Sequence, residues 1–118
     1  MASVLVVEDE ALTALALVDD LAERGHAVRE ATDGAAAIVM LRDFTPDVMV
    51  TDLTMPHVDG ADLIRHVRAR GGRRLPIVLV TGIAQDKVPT DLGYDAFFSK
   101  PVDHEALGAV VARLAAAG

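Results

Sequence analysis

Short apolar runs recur along the chain and predict the strands of a buried sheet. Four runs have this character, residues 4–7, 48–51, 77–81 and 96–99, and the partly polar residues 27–31 are predicted to form a short second strand. Most of them are apolar at consecutive positions instead of alternate ones, which is typical of parallel strands covered on both faces. We therefore expect a mostly parallel sheet with helices on each side.

The segments between the runs have the spacing of amphipathic helices. The first helix begins at Asp9 or Glu10 and ends at Gly25. One row of its apolar residues is predicted to face inward: Ala11, Leu15, Val18 and Ala22. Each later helix has an aspartate as its predicted N-cap: Asp33, Asp59 and Asp103. Strands and helices thus alternate, and right-handed crossovers make the sheet doubly wound.

One stretch interrupts this alternation. Between Thr81 and Lys100 the chain must form both a crossover and the fifth strand, and Pro89 lies within it. Proline has no amide hydrogen for a helical bond and disfavours helical geometry at Val88, so a helix there has one or two turns at most. We expect the helix between the fourth and fifth strands to be short or disordered.

Size and composition limit the number of domains and the classes of partner that the chain is expected to have. The 118 residues suit a single domain, residues 1–118. A formal charge of −7 argues against a nucleic-acid partner. Five arginines cluster, and we interpret them as the solvated face and exit of a helix: Arg65, Arg68, Arg70, Arg73 and Arg74. The sequence has no cysteine, basic leader or membrane-length apolar run, so we expect a cytoplasmic protein without a membrane partner.

Acidic side chains follow two of the predicted strands. Glu8 and Asp9 come directly after the first strand, and Asp52 follows the third. Parallel strands end at a shared edge, where doubly wound folds bind their ligands. Carboxylates gathered there repel one another unless a cation offsets them, and Mg²⁺ prefers such oxygens. Asp9 and Asp52 are expected to bind the ion directly, whereas the longer Glu8 can reach it through a water.

Thr81 and Lys100 are predicted to end at the same edge. An aspartate can act as a nucleophile and form an aspartyl phosphate. The transferred group spreads negative charge over its oxygens, so a metal, a fixed cation and a hydroxyl donor stabilise it. Lys100 and Thr81 supply the cation and the hydroxyl. The pattern therefore points to phosphoryl acceptance at Asp52.

With these residues the chain resembles a response regulator receiver domain of two-component signalling. The resemblance runs from residue 4 to about residue 114 and depends on four motifs in order: Glu8-Asp9, the segment from Asp52 to Gly60, Thr81-Gly82 and Lys100-Pro101. It implies an α/β, flavodoxin-like fold with a five-stranded parallel sheet of order 2-1-3-4-5. The short crossover is similar to that of single-domain receivers whose fourth helix is reduced or disordered.

The resemblance also implies the residues' roles. Asp52 would accept a phosphoryl group from the phosphohistidine of a histidine kinase or histidine phosphotransfer protein, and Thr81 and Lys100 would contact that group. Mg²⁺ would have four ligands: Glu8, Asp9, Asp52 and the backbone carbonyl of Thr54. The Lys100-Pro101 peptide would be cis. Such a protein catalyses only its own phosphorylation and dephosphorylation, switches protein–protein interactions, and is expected as a monomer or weak dimer.

One position differs from the pattern of relatives, and two others are expected to affect hydrolysis of the acyl phosphate. Phe97 stands where relatives often have a Tyr or His that swings inward as Thr81 moves onto the phosphate. Without a hydroxyl, Phe97 is either an apolar switch residue or an ordinary core aromatic. Thr54 and Ile83 flank the expected path of the hydrolytic water, and Ile83 is predicted to lengthen the life of the acyl phosphate. Residues 82–94 are expected to be mobile and to order on phosphorylation or partner binding.

Two alternatives compete with a stand-alone receiver. The sequence leaves open that the receiver was excised from a hybrid histidine kinase or another longer protein. The second alternative is a small phosphatase or phosphotransferase with an aspartyl nucleophile. Such enzymes generally have a second aspartate two residues after the nucleophile, a position occupied here by Thr54, and 118 residues leave no room for a cap domain. We therefore favour the signalling receiver.

Overall fold

Five parallel strands form one sheet with helices on both faces in the computed structural model, which describes residues 2–55, 57–71 and 74–117. The elements in chain order are β1 (Ser3–Val7), α1 (Ala11–Glu23), β2 (Ala27–Ala31), α2 (Gly34–Met40), β3 (Val48–Thr51), α3 (Gly60–Ala69), β4 (Ile77–Thr81), β5 (Ala96–Ser99) and α4 (His104–Ala117). The strand order β2-β1-β3-β4-β5 confirms the flavodoxin-like prediction. None of the described helices is long and apolar enough to cross a membrane.

Two apolar cores lie on opposite faces of the sheet. Consecutive strand residues point to opposite faces, so Leu5 packs with Leu63 of α3 on one side, while Val6 packs with Leu17 of α1 on the other. The first core is covered by α2 and α3, and the second by α1 and α4. Burial on both faces explains why β1, β3 and β4 are apolar at nearly every position.

The predicted inward face of α1 is wrong except at Val18, which packs against the core. The helix buries Ala14, Leu17 and Leu21, whereas Leu15 is 53% exposed. Leu12 is 78% exposed on the same helix. Because nine of the 13 residues of α1 are apolar, helical spacing fits more than one row, and packing against the sheet and α4 selects the buried one.

The predicted ends of the helices are confirmed where the structure describes them. Each aspartate cap accepts a hydrogen bond from the backbone amide three residues later: Asp33 from Ala36 at 2.8 Å, Asp59 from Asp62 at 2.9 Å and Asp103 from Ala106 at 3.1 Å. Gly25 follows α1 with a φ of +93°, which glycine adopts without strain. Pro56, in the motif segment from Asp52 to Gly60, lies outside the described residues.

The connection between β4 and β5, residues 82–95, is here called the crossover segment. Its regular structure is one short 3₁₀ helix, Gln85–Lys87, so the predicted short helix is confirmed. Val88 and Leu92 are nevertheless buried in the core beneath α3. The mobility of residues 82–94, and their ordering on phosphorylation, stay predictions.

The arginine cluster is more than the solvated face that we predicted. Three of its members, here called the arginine clamp, bind the far half of the crossover segment: Arg65 binds the Asp91 carboxylate at 3.1 Å, Arg68 the Gly93 carbonyl at 2.9 Å, and Arg74 the Asp95 carboxylate at 2.6 Å. Arg68 also donates to the Leu75 carbonyl at 2.7 Å. Burial, with the nearby charge of Arg74, lowers the pKa of Arg68. Arg73 lies outside the described residues.

Candidate functional site

The sheet brings the predicted site residues to one edge. Val7 of β1 pairs with Thr51 of β3, so the residues that follow each strand, Glu8 and Asp52, become neighbours. The backbone amide of Asp52 donates to the Val7 carbonyl at 3.0 Å and fixes this register at the edge. On the other side of β3, β4 ends at Thr81 and β5 ends at Ser99, the residue directly before Lys100. Thr81 and Ser99 pair in the sheet.

Three carboxylates converge at this edge. One oxygen from each of Glu8, Asp9 and Asp52 lies within 4.8 Å of the other two. Glu8 is 2% exposed and Asp52 7% exposed, whereas Asp9 faces solvent. Burial raises the pKa of Glu8, and the charge of Asp52 adds to this, although hydrogen bonds from Lys100 and the Glu10 amide act against it. Carboxylates this close need a compensating cation.

Lys100 provides part of that compensation from the end of β5. Its Nζ lies 2.7 Å from Glu8 Oε1 and 3.1 Å from Asp52 Oδ2. Burial acts to lower the pKa of Lys100, but the hydrogen bonds to Glu8 and Asp52 outweigh it, so the pKa is raised. The side chain is therefore a fixed positive charge beside Asp52, and the Lys100–Pro101 peptide that carries it is cis.

Asp52 itself is oriented by its neighbours. Its Oδ1 accepts a hydrogen bond from the Leu53 amide at 2.7 Å and a longer one from the Thr54 amide at 3.4 Å. Its carbonyl accepts from the buried Thr51 hydroxyl at 2.8 Å. Sequence reasoning missed the role of Thr51, which nothing in the apolar run distinguishes from an ordinary strand residue. With Oδ1 held by backbone, Oδ2 is the oxygen that faces Lys100.

Thr81 closes the site on the β4 side. It is buried, its carbonyl accepts from the Lys100 amide at 3.0 Å, and its Oγ1 accepts from the Ile83 amide at 3.2 Å. Ile83 is half-buried beside it. Phe97 is also half-buried, and its ring centroid lies 6.1 Å from that of Tyr94. Phe97 thus packs as part of the core, and no contact of Phe97 with the carboxylates is among those described.

The loop after Asp52 is shaped by Gly60, a residue whose role at the site sequence reasoning did not identify. The Gly60 amide donates to the Leu53 carbonyl at 2.7 Å. A Cβ at Gly60 would lie 2.0 Å from the Asp52 carbonyl oxygen, so a larger residue does not fit. The loop carries Thr54, which is exposed. The Asp59-Gly60 pair was the available signal, but we interpreted it only as a helix start.

The donor set suits a hard divalent cation. Glu8, Asp9 and Asp52 offer carboxylate oxygens within a few ångströms of one another. Mg²⁺ takes oxygen ligands and keeps several waters, so a one-sided group of carboxylates is sufficient for it. The exposure of Asp9 leaves one side of the group open to solvent and to a ligand.

A groove opens beside the site, between the start of α1 and the residues after β5. It has a volume of about 550 Å³ and is lined by residues that include Leu12, Thr13, Lys100, Pro101 and His104. Together with Leu12, the exposed Leu15 leaves α1 with two large apolar side chains in solvent. The Nδ1 atom of His104 is buried without a hydrogen-bond partner among the described residues.

Comparison with known proteins identifies the family. The model of the response regulator receiver domain matches residues 4–112. The two-component response regulator PhoP of Pseudomonas aeruginosa is 40% identical over 108 residues, which make up 89% of this chain and 48% of PhoP. The chain thus spans about half the length of this curated relative.

Solved structures agree with the match. A response regulator receiver protein from Pseudomonas putida is 35% identical, with a TM-score of 0.87 over 94% of this chain and 95% of that one. The receiver domain of a sensor histidine kinase from Pseudomonas aeruginosa is 25% identical, with a TM-score of 0.89 over 98% of each chain. That crystal structure has a magnesium ion coordinated in its active site cleft.

Proposed function

The chain belongs to the response regulator receiver domain family, and from this membership we propose that Asp52 is its phosphoacceptor. The phosphoryl group would come from a phosphohistidine of a histidine kinase or histidine phosphotransfer protein. One observation supports this most directly: Asp52 Oδ2 lies 3.1 Å from Lys100 Nζ, at the end of a buried strand and within the carboxylate group that includes Glu8 and Asp9. A nucleophile, a fixed cation and a metal-binding set thus meet at one point.

Asp52 is prepared for attack by the contacts around it. The Leu53 amide fixes Oδ1, so Oδ2 is the oxygen that forms the bond to phosphorus while the bond from phosphorus to the donor's imidazole nitrogen breaks. Lys100 then exchanges part of its contact with Asp52 for a phosphoryl oxygen. The Thr81 hydroxyl turns toward the same group, and Phe97 follows as an apolar switch residue. Thr54 and Ile83 set how readily water reaches the acyl phosphate.

Mg²⁺ is the proposed cofactor. Glu8, Asp9, Asp52 and the Thr54 carbonyl would hold it, with Glu8 acting directly or through a water. When bound, the ion supplies positive charge that offsets the carboxylates and the incoming phosphoryl oxygens. The magnesium ion in the related histidine kinase receiver supports the assignment.

The donor is proposed to be a protein because of the surface beside the site. A donor protein that delivers a histidine to Asp52 must cover the adjacent groove, which the exposed Leu12 lines, and the exposed Leu15 lies three residues further along α1. Single exposed leucines are common, but two near the start of the helix that borders the groove favour protein docking. We expect a cytoplasmic module, monomeric or weakly dimeric, that contacts neither nucleic acid nor membrane.

We propose that phosphorylation of Asp52 changes how the chain binds other proteins. In this proposal the chain catalyses only its own phosphorylation and dephosphorylation. The similarity to a receiver of a sensor histidine kinase supports the alternative that the module works within a hybrid kinase. Purified candidate kinases distinguish the two settings, since a hybrid's receiver is phosphorylated fastest by the kinase of its own polypeptide.

The phosphoacceptor is tested with a small-molecule donor. Incubation with acetyl phosphate and Mg²⁺ should add one phosphoryl mass to the wild type, and Asp52→Asn should abolish it. Asp19→Asn, which removes an exposed carboxylate of α1, is the matched control and should be phosphorylated normally. Persistent phosphorylation of Asp52→Asn at another residue would refute the assignment.

The docking surface is tested separately. Leu15→Ala should slow phosphotransfer from a cognate kinase while leaving the reaction with acetyl phosphate unchanged, since Leu15 is exposed on α1 and is not one of the residues described at the site. Val39→Ala, at another exposed apolar position on α2, should affect neither reaction. Equal slowing with both donors would show that Leu15 acts on the site and not on docking.

A further inference from the structure

The first residue of α2 lies against the loop that follows Asp52. Gly34 is buried, and its amide donates a hydrogen bond to the Val58 carbonyl oxygen at 3.2 Å. A Cβ at Gly34 would lie 2.4 Å from that oxygen and 2.8 Å from Val58 Cγ1. Side chains do not approach backbone oxygens so closely, so only glycine allows the two segments to meet in this way.

This contact holds a loop that is under local strain. The loop closes at its base, where the Gly60 amide binds the Leu53 carbonyl at 2.7 Å. Next to Val58, His57 has a φ of +66°, in the left-handed region that non-glycine residues rarely adopt. Such a conformation persists only when surrounding contacts enforce it. The contact between Gly34 and Val58 is one of these, and it comes from outside the loop.

The support on the α2 side is itself fixed. Asp33 caps the helix through the Ala36 amide at 2.8 Å. Ala37 and Leu41 are buried in the core beneath the sheet. Val58 is therefore held by a helix whose own position is set by the core, and a shift of the first turn of α2 would be passed to the loop.

We propose that Gly34 is a positioning residue for the magnesium site. By holding Val58 it fixes the loop that presents the Thr54 carbonyl, and so sets the affinity for Mg²⁺ without touching the ion. The inference rests on the proposed function, which assigns the Thr54 carbonyl as a ligand.

Gly34→Ala tests this inference against Ala35→Gly. The added methyl group should displace Val58 and weaken Mg²⁺ binding about tenfold, as loss of outer contacts to a metal site typically does. Phosphorylation by acetyl phosphate should slow at low Mg²⁺ and recover when Mg²⁺ is saturating, a separation that a general loss of folding would not produce. Ala35→Gly weakens the same helix at an exposed position and should leave Mg²⁺ affinity within about twofold.

A second pair of variants decides the matter if Gly34→Ala does not fold. Asp33→Ala removes the cap of α2 and should weaken Mg²⁺ binding several-fold, because the first turn of the helix loosens. Asp33→Asn removes the same charge but keeps an oxygen that accepts from Ala36, so it should bind Mg²⁺ like the wild type. Equal weakening in both variants would mean that the charge matters and not the position, and would overturn the inference.

Amide resonances in metal-free protein separate failure of this inference from failure of the proposed function. If the wild type binds no Mg²⁺, the proposed function fails. Even then, Gly34 would be shown to position the loop if the Thr54 and Val58 resonances were displaced in Gly34→Ala and unchanged in Ala35→Gly. A folded Gly34→Ala protein with wild-type Mg²⁺ affinity and unchanged Thr54 resonances would overturn it.

Discussion

The connection after β3 and the crossover segment after β4 leave the sheet at the same edge, and each begins beside a proposed site residue. The first is held at close range by backbone: Gly60 contacts the Asp52 and Leu53 backbone, and Gly34 contacts Val58. The second is held mainly at its far half by the arginine clamp, whereas the near half has two neutral hydrogen bonds that involve side chains, from the Ile83 amide to the Thr81 hydroxyl and from Gln85 to the Tyr94 hydroxyl.

This difference matches two different tasks. Phosphoryl transfer depends on atoms placed to within a fraction of an ångström, and the connection after β3 has the close contacts that such placement needs. A response to phosphorylation needs a segment whose local stability is low enough to change. The near half of the crossover segment, residues 82–87, has mostly exposed side chains, whereas the far half is anchored by Leu92 and the clamp.

The largest expected effect comes from the same substitution made in each connection. Gly60→Ala places a methyl group 2.0 Å from the Asp52 carbonyl oxygen, and we expect it to lower the free energy of unfolding by about 3 kcal/mol and to abolish Mg²⁺ binding. Gly82→Ala meets no described atom within 4 Å and should change stability by less than about 0.5 kcal/mol. Urea denaturation measures both. Similar losses of unfolding free energy in the two variants would show that the connection after β3 is packed no more tightly than the crossover segment.

Arg68→Ala should have the next largest effect. It removes charge-assisted bonds to Leu75, Gly93 and Asp95, and we expect a loss of about 2 kcal/mol, with faster amide exchange at residues 91–95. Arg68→Lys should restore little, because an ammonium group cannot bridge these acceptors in the geometry of a guanidinium. If Arg68→Lys were as stable as the wild type, the positive charge of residue 68 would account for the stabilisation and the guanidinium geometry would not be needed.

Thr81→Val should have a smaller effect, confined to the near half. It keeps the shape of Thr81 but removes the acceptor for the Ile83 amide, which should cost about 1 kcal/mol and speed amide exchange at residues 83–87. Exchange at residues 91–95 should not change. We also expect a phosphoryl mimic with Mg²⁺ to slow exchange in residues 82–87 of the wild type and not of Thr81→Val. Slow, helix-like protection of these residues before phosphorylation would contradict the expected ordering.

Ile83→Ala should have the smallest effect. Ile83 is half-buried next to Thr81, and its removal should let water approach the acyl phosphate and shorten its half-life roughly threefold, about 0.6 kcal/mol in activation free energy. The loss of radiolabel from phosphorylated protein measures this. An unchanged half-life would show that Ile83 does not shield the phosphate.

Much of the site was predictable because strand ends are visible in a sequence. Apolar runs end at Val7, Thr51, Thr81 and Ser99, and parallel pairing brings the residues after them to one edge. The buried face of α1 was not predictable, because a helix that is apolar on several sides satisfies the spacing rule in more than one row. The arginine clamp was also missed, since its acceptors are mostly backbone carbonyls and carboxylates distant in sequence.

The sequence by itself determined the order of strands and helices, the caps that begin the helices, and the residues that meet at the edge beside Asp52. These follow from local patterns and from the fixed geometry of a parallel sheet. Only the tertiary structure decided which face of α1 is exposed, that Gly34 and Gly60 shape the loop after Asp52, and that arginines anchor the crossover segment. Such features depend on distances between residues far apart in the chain, and no periodicity along a sequence encodes those distances.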